Sequence, residues 1–127
     1  MYEELKKIIN NAYAPYSNFK VAAIFADSLG GIYKGVNVEN KIAKGMCAES
    51  VALANFYASG RKGMLKDIYL LSNSNSFITP CFLCRQYIYE NFDLDGFLYS
   101  YNNKGEIKKY PLKSLMPEGF KLEDKDV

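Results

Sequence analysis

Hydrophobic residues in the first third of the chain follow a helical spacing and then a strand-like one. In residues 3–13 the apolar side chains lie three and four positions apart, which predicts an amphipathic helix that the Ala14-Pro15 step ends. Residues 20–27 are apolar and partly β-branched, and residues 32–38 alternate between apolar and polar positions. Because Leu29-Gly30-Gly31 supplies a turn between them, these two segments predict a β-hairpin.

The rest of the chain predicts two mostly buried helices that alternate with short strands. The helices span residues 47–59, closed by Gly60, and residues 81–92, opened by Pro80. Between them, residues 67–72 form an almost continuous apolar run that predicts a central strand buried on both faces. Further strands are predicted over residues 96–101 and 107–110, with a helical turn over residues 112–116. The order αββαβαββ predicts one domain over residues 1–127, an α/β fold built as a three-layer α/β/α sandwich with helices on both faces of one mixed sheet of about five strands.

Composition and charge then narrow the class of partner. Sixteen basic and fourteen acidic residues give a net charge of +2, far from the clustered positive charge that nucleic-acid binding demands. The longest purely apolar run, Val21 to Ala26, is much shorter than the roughly 20 residues that span a bilayer. The first residues include acids where a signal peptide is basic. We therefore expect a cytoplasmic protein that acts on a small, nearly neutral molecule.

Two residue counts bear directly on the chemistry. The chain has no histidine, so any acid–base catalyst is another residue type. It has three cysteines, an odd number that excludes a complete disulfide framework, and two of them form the Cys-x-x-Cys pair Cys81 and Cys84. Metal binding or redox chemistry is therefore favoured.

The three cysteines and one glutamate all lie at the predicted starts of helices. Cys47 and Glu49 begin one helix, and Cys81 and Cys84 occupy the first turn of the other. Residues three apart share a helix face, and the positive end of a helix favours thiolates. Three protein ligands leave one position of a tetrahedral Zn²⁺ open to water, which distinguishes catalytic zinc sites from structural ones. Glu49 then lies near enough to the metal to carry the protons of that water without being a ligand.

Each of these residues also has a simpler interpretation. A Cys-x-x-Cys pair alone is often a redox pair or half of a structural zinc knuckle. Glu49 alone could be a solvated residue in the first turn of a helix, or a fourth zinc ligand. Asn37, Glu39 and Asn40 could be turn residues at the end of a strand. The combination of three thiols with Glu49 favours a catalytic zinc over these alternatives.

The metal motif belongs to a longer pattern along the chain. Cys47-Ala48-Glu49, followed by the segment PCFLC at residues 80–84, matches zinc nucleobase deaminases that use cysteine ligands only. With this motif, the chain resembles the small homotetrameric cytidine deaminases over nearly its whole length. Three further segments carry the resemblance, and they are residues 13–19 (YAPYSNF), 37–40 (NVEN) and 115–120 (LMPEGF).

The resemblance assigns roles to particular residues around the substrate. It implies that Asn37 and Glu39 hold the ribose hydroxyls and that Phe19 packs on the pyrimidine. It also implies that the backbone amide of Ala48 and the carbonyl of Thr79 contact the base. Taken without the zinc motif, the polar pair would be ordinary turn residues and the aromatic ring an ordinary core residue.

The resemblance also implies assembly. Phe120 resembles an aromatic residue that a neighbouring subunit places over the substrate, which implies a homotetramer with shared active sites. As an aromatic residue, Phe120 could instead belong to the core of its own chain.

Three features depart from the pattern of the family. Many relatives carry arginine directly after the catalytic glutamate, where this chain has Ser50, so the helix ends and Arg85 are expected to offset more of the thiolate charge. The stretch between Glu39 and Cys47 is one residue shorter than is usual in the family. Larger side chains also stand between the paired cysteines, which changes the packing near the metal and not its ligation.

The expected reaction is hydrolytic deamination of cytidine and deoxycytidine to uridine and deoxyuridine plus ammonia, a step of pyrimidine salvage. It needs zinc, no organic cofactor and a proton shuttle at Glu49. One rival is a deaminase of another cytosine nucleoside, such as a blasticidin-like antibiotic, and another is a non-catalytic zinc or thiol-redox module. A nucleic-acid deaminase is disfavoured, since such enzymes typically use a histidine ligand and a basic surface.

Overall fold

Five strands form one mixed sheet in the computed structural model, which describes residues 1–120. The strands lie in the order β2-β1-β3-β4-β5, where β3 and β4 run parallel and the other neighbours run antiparallel. This confirms the mixed five-stranded sheet predicted from the hydrophobic pattern. The strands are β1 (Val21–Asp27), β2 (Ile32–Val36), β3 (Leu65–Ser72), β4 (Phe97–Tyr101) and β5 (Ile107–Pro111).

Helices cover both faces of this sheet, because successive strand residues point to opposite sides and both sides are apolar. On one face, Leu5 from helix α1 (Tyr2–Ile9) packs on Ile24 and Leu71. On the other face, helices α2 (Ala48–Ala58) and α3 (Phe82–Asn91) bury side chains of their own against Phe25, Ile68 and Leu98. The three-layer α/β/α architecture is therefore confirmed. A short 3₁₀ turn (Leu112–Leu115) follows β5, and no helix within residues 1–120 is long and apolar enough to cross a membrane.

Some boundaries differ from the predicted ones because distant segments compete for the backbone. The first helix ends at Ile9 and not at Tyr13, since the chain turns there and the Tyr13 N–H donates to the Asn37 carbonyl at 3.0 Å. In the same region β2 ends at Val36, two residues early, and Val38 forms isolated bridges with Tyr13 and Met46. The central strand β3 begins at Leu65, two residues before the predicted start.

One edge of the sheet gathers the parts that build the site. Val21 at the start of β1 pairs with Ser72 at the end of β3, and Ala22 pairs with Val36 at the end of β2. Helix α2 lies directly on β2 at Gly35, where a Cβ would stand only 2.2 Å from the carbonyl oxygen of Ala48. Helix α3 starts after the loop that leaves β3. The N-termini of α2 and α3 therefore meet above the same edge.

Candidate active site

The three cysteines meet where the two helices begin. Cys47 is the N-cap residue of α2, Cys81 is the N-cap residue of α3, and Cys84 lies in the first turn of α3. Their sulfur atoms all lie within 4.8 Å of one another, and all three thiols are free. A tetrahedral zinc with Zn–S bonds of about 2.3 Å holds its sulfurs about 3.8 Å apart, so small side-chain movements suffice to bind one. The site predicted from the cysteine spacing is thus assembled in the fold.

The thiols differ in how readily they ionise. Burial, together with the neighbouring Cys81 and Glu49, raises the pKa of Cys47, and burial with the charge of Glu49 does the same to the pKa of Cys84. Burial opposes ionisation of Cys81 as well, but hydrogen bonds from the Cys84 backbone N–H and from the other two thiols lower its pKa. The raised pKa values of Cys47 and Cys84 favour their neutral forms, and a cation bound between the sulfurs would favour the thiolates. A soft divalent metal such as zinc is such a cation, so the donor set fits the ion.

Glu49 lies on the same cavity wall as two of the sulfurs. It is the second residue of α2, its side chain is buried with 6% of its surface exposed, and it lines the cavity beside Cys47 and Cys81. Burial raises the pKa of its carboxyl group. A carboxyl group with a raised pKa beside a metal site is suited to accept a proton and return it.

The cavity itself has the size of a small-molecule site. Its volume is about 380 Å³, within the range of ligand pockets. Five of the six predicted substrate residues line it, and only Phe120 does not. The wall residues are Phe19, Val21, Asn37, Val38, Glu39, Lys44, Gly45, Met46, Cys47, Ala48, Glu49, Ile78, Thr79 and Cys81.

The polar pair predicted to bind ribose also holds the chain in place. The Oδ1 atom of Asn37 accepts from the Val21 N–H at 2.9 Å, and its Nδ2 donates to the Phe19 carbonyl at 2.8 Å. The Glu39 carboxylate accepts from the backbone N–H groups of Tyr16 and Ser17 at 2.9 and 3.2 Å and from the Ser17 hydroxyl. The Ser17 hydroxyl in particular keeps the pKa of Glu39 low. Both side chains therefore combine the turn-holding role of the simpler interpretation with a place on the cavity wall.

The remaining predicted residues separate into two groups. Phe19, with 41% of its surface exposed, stands at the cavity with Ala48 and Thr79, and the Thr79 hydroxyl accepts from Arg85 at 3.0 Å. Phe120 lies elsewhere, with 67% of its surface exposed and its carbonyl accepting from Gln86 at 2.7 Å.

Arg85 directs its hydrogen bonds to neutral groups of the chain. Its Nε donates to the Pro80 carbonyl at 2.8 Å and its Nη1 donates to the Leu115 carbonyl at 3.0 Å, while its guanidinium lies 4.8 Å from the ring centre of Phe82. The guanidinium therefore ties α3 to the C-terminal segment. Arg85 does not line the cavity that Cys47, Cys81 and Glu49 share, and its compensation of the thiolate charge stays a prediction.

Several residues of the cavity wall were not predicted from the sequence. The segment of residues 44–46 contributes Lys44, Gly45 and Met46, yet in the sequence it belongs to an irregular polar stretch. The stretch shows no clear period, and the pairing of Met46 with Val38 joins residues that no local periodicity connects. Ile78 was missed for the same reason, since it lies in the loop before Pro80.

Known proteins share both the sequence and the fold. The family described as "Cytidine and deoxycytidylate deaminase zinc-binding region" matches residues 1–94. A protein of Halalkalibacterium halodurans named cytidine deaminase is 34% identical over 115 residues, which cover 89% of this chain and 86% of that protein. A cytidine deaminase of Sporosarcina psychrophila is 34% identical over 122 residues, which cover 95% and 89%.

Comparison of three-dimensional structures agrees with the sequence similarity. The crystal structure of cytidine deaminase from Burkholderia pseudomallei superimposes with a TM-score of 0.84 at 32% identity and covers 93% of this chain and 94% of its own. Residues 1–94, which match the family, include all three cysteines, Glu49 and the wall of the cavity. The chain therefore belongs to the family of zinc-binding cytidine and deoxycytidylate deaminases.

Proposed function

We propose that the protein catalyses the hydrolytic deamination of cytidine and deoxycytidine, giving uridine or deoxyuridine and ammonia. The observation that carries this proposal is a cluster of three free thiols, two of which share the wall of one cavity of small-molecule size with a buried carboxyl group. Relatives named cytidine deaminase, similar over most of their length, support the choice of substrate.

In this reaction water adds to C4 of the pyrimidine and the exocyclic amine leaves as ammonia. A zinc ion held by Cys47, Cys81 and Cys84 supplies the Lewis acidity that makes water nucleophilic at neutral pH. Glu49 takes the first proton of the attacking water and passes it to N3, then takes the second from the hydroxyl group now on C4 and delivers it to the amine, which leaves as ammonia. Its burial keeps bulk water away from these transfers and its place at the start of a rigid helix fixes its reach.

The cavity wall supplies the contacts that hold a nucleoside in register with Glu49. The backbone amide of Ala48 and the carbonyl of Thr79 contact the polar edge of the base, and the ring of Phe19 packs on its face. Asn37 and Glu39 bind the ribose hydroxyls with hydrogen-bonding capacity that their contacts to the chain leave over, since an amide and a carboxylate each offer more sites than those contacts use.

We also propose the domain organisation, location and assembly of the enzyme. Residues 1–127 form one catalytic domain, which works in the cytoplasm in pyrimidine salvage. Four chains assemble into a homotetramer in which Phe120 of one subunit completes the cavity of another. The position of Phe120, exposed and away from the cavity of its own chain, supports this arrangement.

Metal analysis combined with a cytidine assay tests the proposal. Purified protein is expected to contain one zinc per chain and to remove the cytosine absorbance of cytidine and deoxycytidine. Cys47→Ala is expected to lose both zinc and activity, because each thiolate supplies a third of the protein ligands. Circular dichroism of the variant reports whether it still folds. Active protein without zinc, or a Cys47→Ala variant that keeps both, would contradict the proposal.

A further inference from the structure

The metal site carries more negative charge than a divalent ion offsets. Three thiolates exceed the charge of Zn²⁺ by one, and the Glu49 carboxyl is buried on the same wall. The N-termini of α2 and α3 contribute only partial positive charges. Since charges near a protein interior are screened less than in water, a full cation close by would strengthen binding of the metal.

The polar residues next to the ligands in sequence place no cation on the cavity wall that Cys47, Cys81 and Glu49 share. Ser50 is neutral, and its Oγ donates to the Cys47 carbonyl at 2.7 Å. Arg85 directs its guanidinium to Thr79 and to the carbonyls of Pro80 and Leu115.

Lys44 is the cation that borders the site. It lines the cavity that holds Glu49 and Cys81, and it also lines a second cavity of about 380 Å³ beside Cys47, Ser50 and Cys84. Among the described residues around these two cavities, Lys44 is the one lysine or arginine. The ion pairs formed within residues 1–120 involve other lysines.

The backbone next to Lys44 is fixed against the sheet. Val38 and Met46 exchange two backbone hydrogen bonds of 3.0 and 2.8 Å, which tie the loop to the end of β2. Gly45 lies so close that a Cβ there would stand 2.2 Å from the Val38 carbonyl oxygen. The attachment point of the Lys44 side chain is therefore held three residues before Cys47, although the side chain itself is exposed.

We propose that Lys44 is a positioning residue of the metal centre, whose ammonium offsets the excess negative charge of the three thiolates and so strengthens zinc binding. This inference rests on the proposed function, since it takes zinc as the resident metal. An exposed ammonium acts through partly screened electrostatics, so its contribution is a few-fold change in affinity and falls with ionic strength.

Competition with a zinc chelator measures this contribution on the holoenzyme without using activity. Lys44→Gln is expected to bind zinc about three- to fivefold more weakly than wild type at low salt, in the range of an exposed ion pair. The difference should shrink at molar salt, where the screening length is only about 3 Å. Lys44→Arg should restore affinity because it restores the charge. Lys41→Gln is the matched control, since it removes one positive charge from the same loop at an exposed position that lines neither cavity.

The outcomes separate this inference from the proposed function. A wild-type protein that binds no zinc overturns the proposed function. If wild type binds zinc but Lys44→Gln and Lys41→Gln match in affinity, only the role of Lys44 is overturned. The role of Lys44 is also overturned if Lys44→Gln loses zinc affinity equally at low and high salt and Lys44→Arg does not restore it. That pattern indicates a packing defect and not a lost charge. A changed KM for cytidine with unchanged zinc affinity would reassign Lys44 to the substrate.

Discussion

Two carboxyl groups face the cavity, and their surroundings fit them for different tasks. Burial raises the pKa of Glu49, which stands on the wall with Cys47 and Cys81. At Glu39 the Ser17 hydroxyl and two backbone N–H groups stabilise the charged form and keep the pKa low. The first group is suited to exchange protons and the second to remain an ionised hydrogen-bond acceptor.

The Glu49→Gln variant tests the proton shuttle. The amide keeps the size of the side chain and leaves the three sulfurs in place, so zinc content and fold should be preserved. We expect kcat to fall by at least about 10²-fold, the lower end for general acid–base catalysis. Glu39→Gln serves as the control, since it neutralises the other cavity carboxylate and should act mainly on KM. Near-normal turnover by Glu49→Gln would remove this residue from the mechanism.

Ribose binding by Asn37 and Glu39 predicts discrimination between nucleoside and free base. Cytosine should be a very poor substrate, because polar groups arranged for the sugar would be left without partners. Glu39→Ala should lower kcat/KM for cytidine about 10- to 100-fold, the value of hydrogen bonds to a charged group, while zinc stays bound.

The hydrogen bonds of Glu39 within the chain call for a second variant. Ser17→Ala removes one donor that holds Glu39 but leaves the carboxylate, so it should have a clearly smaller effect on cytidine. Equal losses from Ser17→Ala and Glu39→Ala would assign Glu39 to loop stability. Cytosine turnover comparable with that of cytidine would contradict sugar binding directly.

At the scale of elements, the contact between β2 and α2 sets the position of Cys47 and Glu49. A Cβ added at Gly35 would lie 2.2 Å from the Ala48 carbonyl oxygen and 2.5 Å from the Ala52 nitrogen, both backbone atoms of α2. Backbone atoms cannot move aside as a side chain can. Gly35→Ala must therefore push the start of α2 away from the sheet, and the metal ligand at its N-cap with it.

We expect Gly35→Ala to lower the free energy of unfolding by about 1–3 kcal/mol, the usual cost of overpacking, and to weaken zinc binding. Gly60→Ala is the matched control at the other end of α2. There the residue adopts φ of +105° with nothing within 4 Å of a Cβ, so alanine is strained but displaces no neighbour. Urea unfolding should detect a loss in both variants, and chelator competition a loss in Gly35→Ala alone. Normal zinc affinity in Gly35→Ala would show that this contact does not position the ligand.

The elements show what sequence reasoning can and cannot reach. The starts of α2 and α3 were predictable because Cys47 precedes a run of good helix formers and Pro80 is tolerated at a helix start, and so the thiol cluster was predictable as well. The end of α1 was not, since a hydrogen bond from Tyr13 to the distant Asn37 decides it. The loop that carries Lys44 is likewise fixed by non-local pairing. Such pairing leaves no period in the sequence, which is why residues 44–46 of the cavity wall were not predicted although the thiol cluster was.

At the scale of the whole molecule, a single chain exposes a large amount of apolar surface that its own fold does not bury. Large side chains with much of their surface exposed occur in segments that border the cavity, including Ile42 at 98%, Met46 at 52% and Phe82 at 82%. Phe120 adds a further exposed ring beside α3. Burial of such surface between symmetric copies is a common solution in soluble proteins, and it supports the proposed homotetramer.

Active sites built from residues of two subunits can be distinguished by experiment from sites that lie wholly within one subunit. Phe120→Ala should lower activity more than it lowers zinc affinity, because its ring lies away from the metal site of its own chain. Glu49→Gln should be almost inactive for a different reason, the loss of the proton shuttle. When the two variants are dissociated together and reassembled in equal amounts, about a quarter of the sites should pair an intact Glu49 from one chain with an intact Phe120 from another. Activity should then exceed the average of the separate preparations.

A control chain carries both changes, and its mixture with Glu49→Gln contains no intact Glu49, so it should remain inactive. Sedimentation at the concentration of the assay reports the assembly directly. A fully active monomer would contradict shared sites, as would the absence of any gain in a properly reassembled mixture. A gain that appears only in the first mixture requires that the two residues act on one substrate from different subunits, because neither variant chain carries both residues intact.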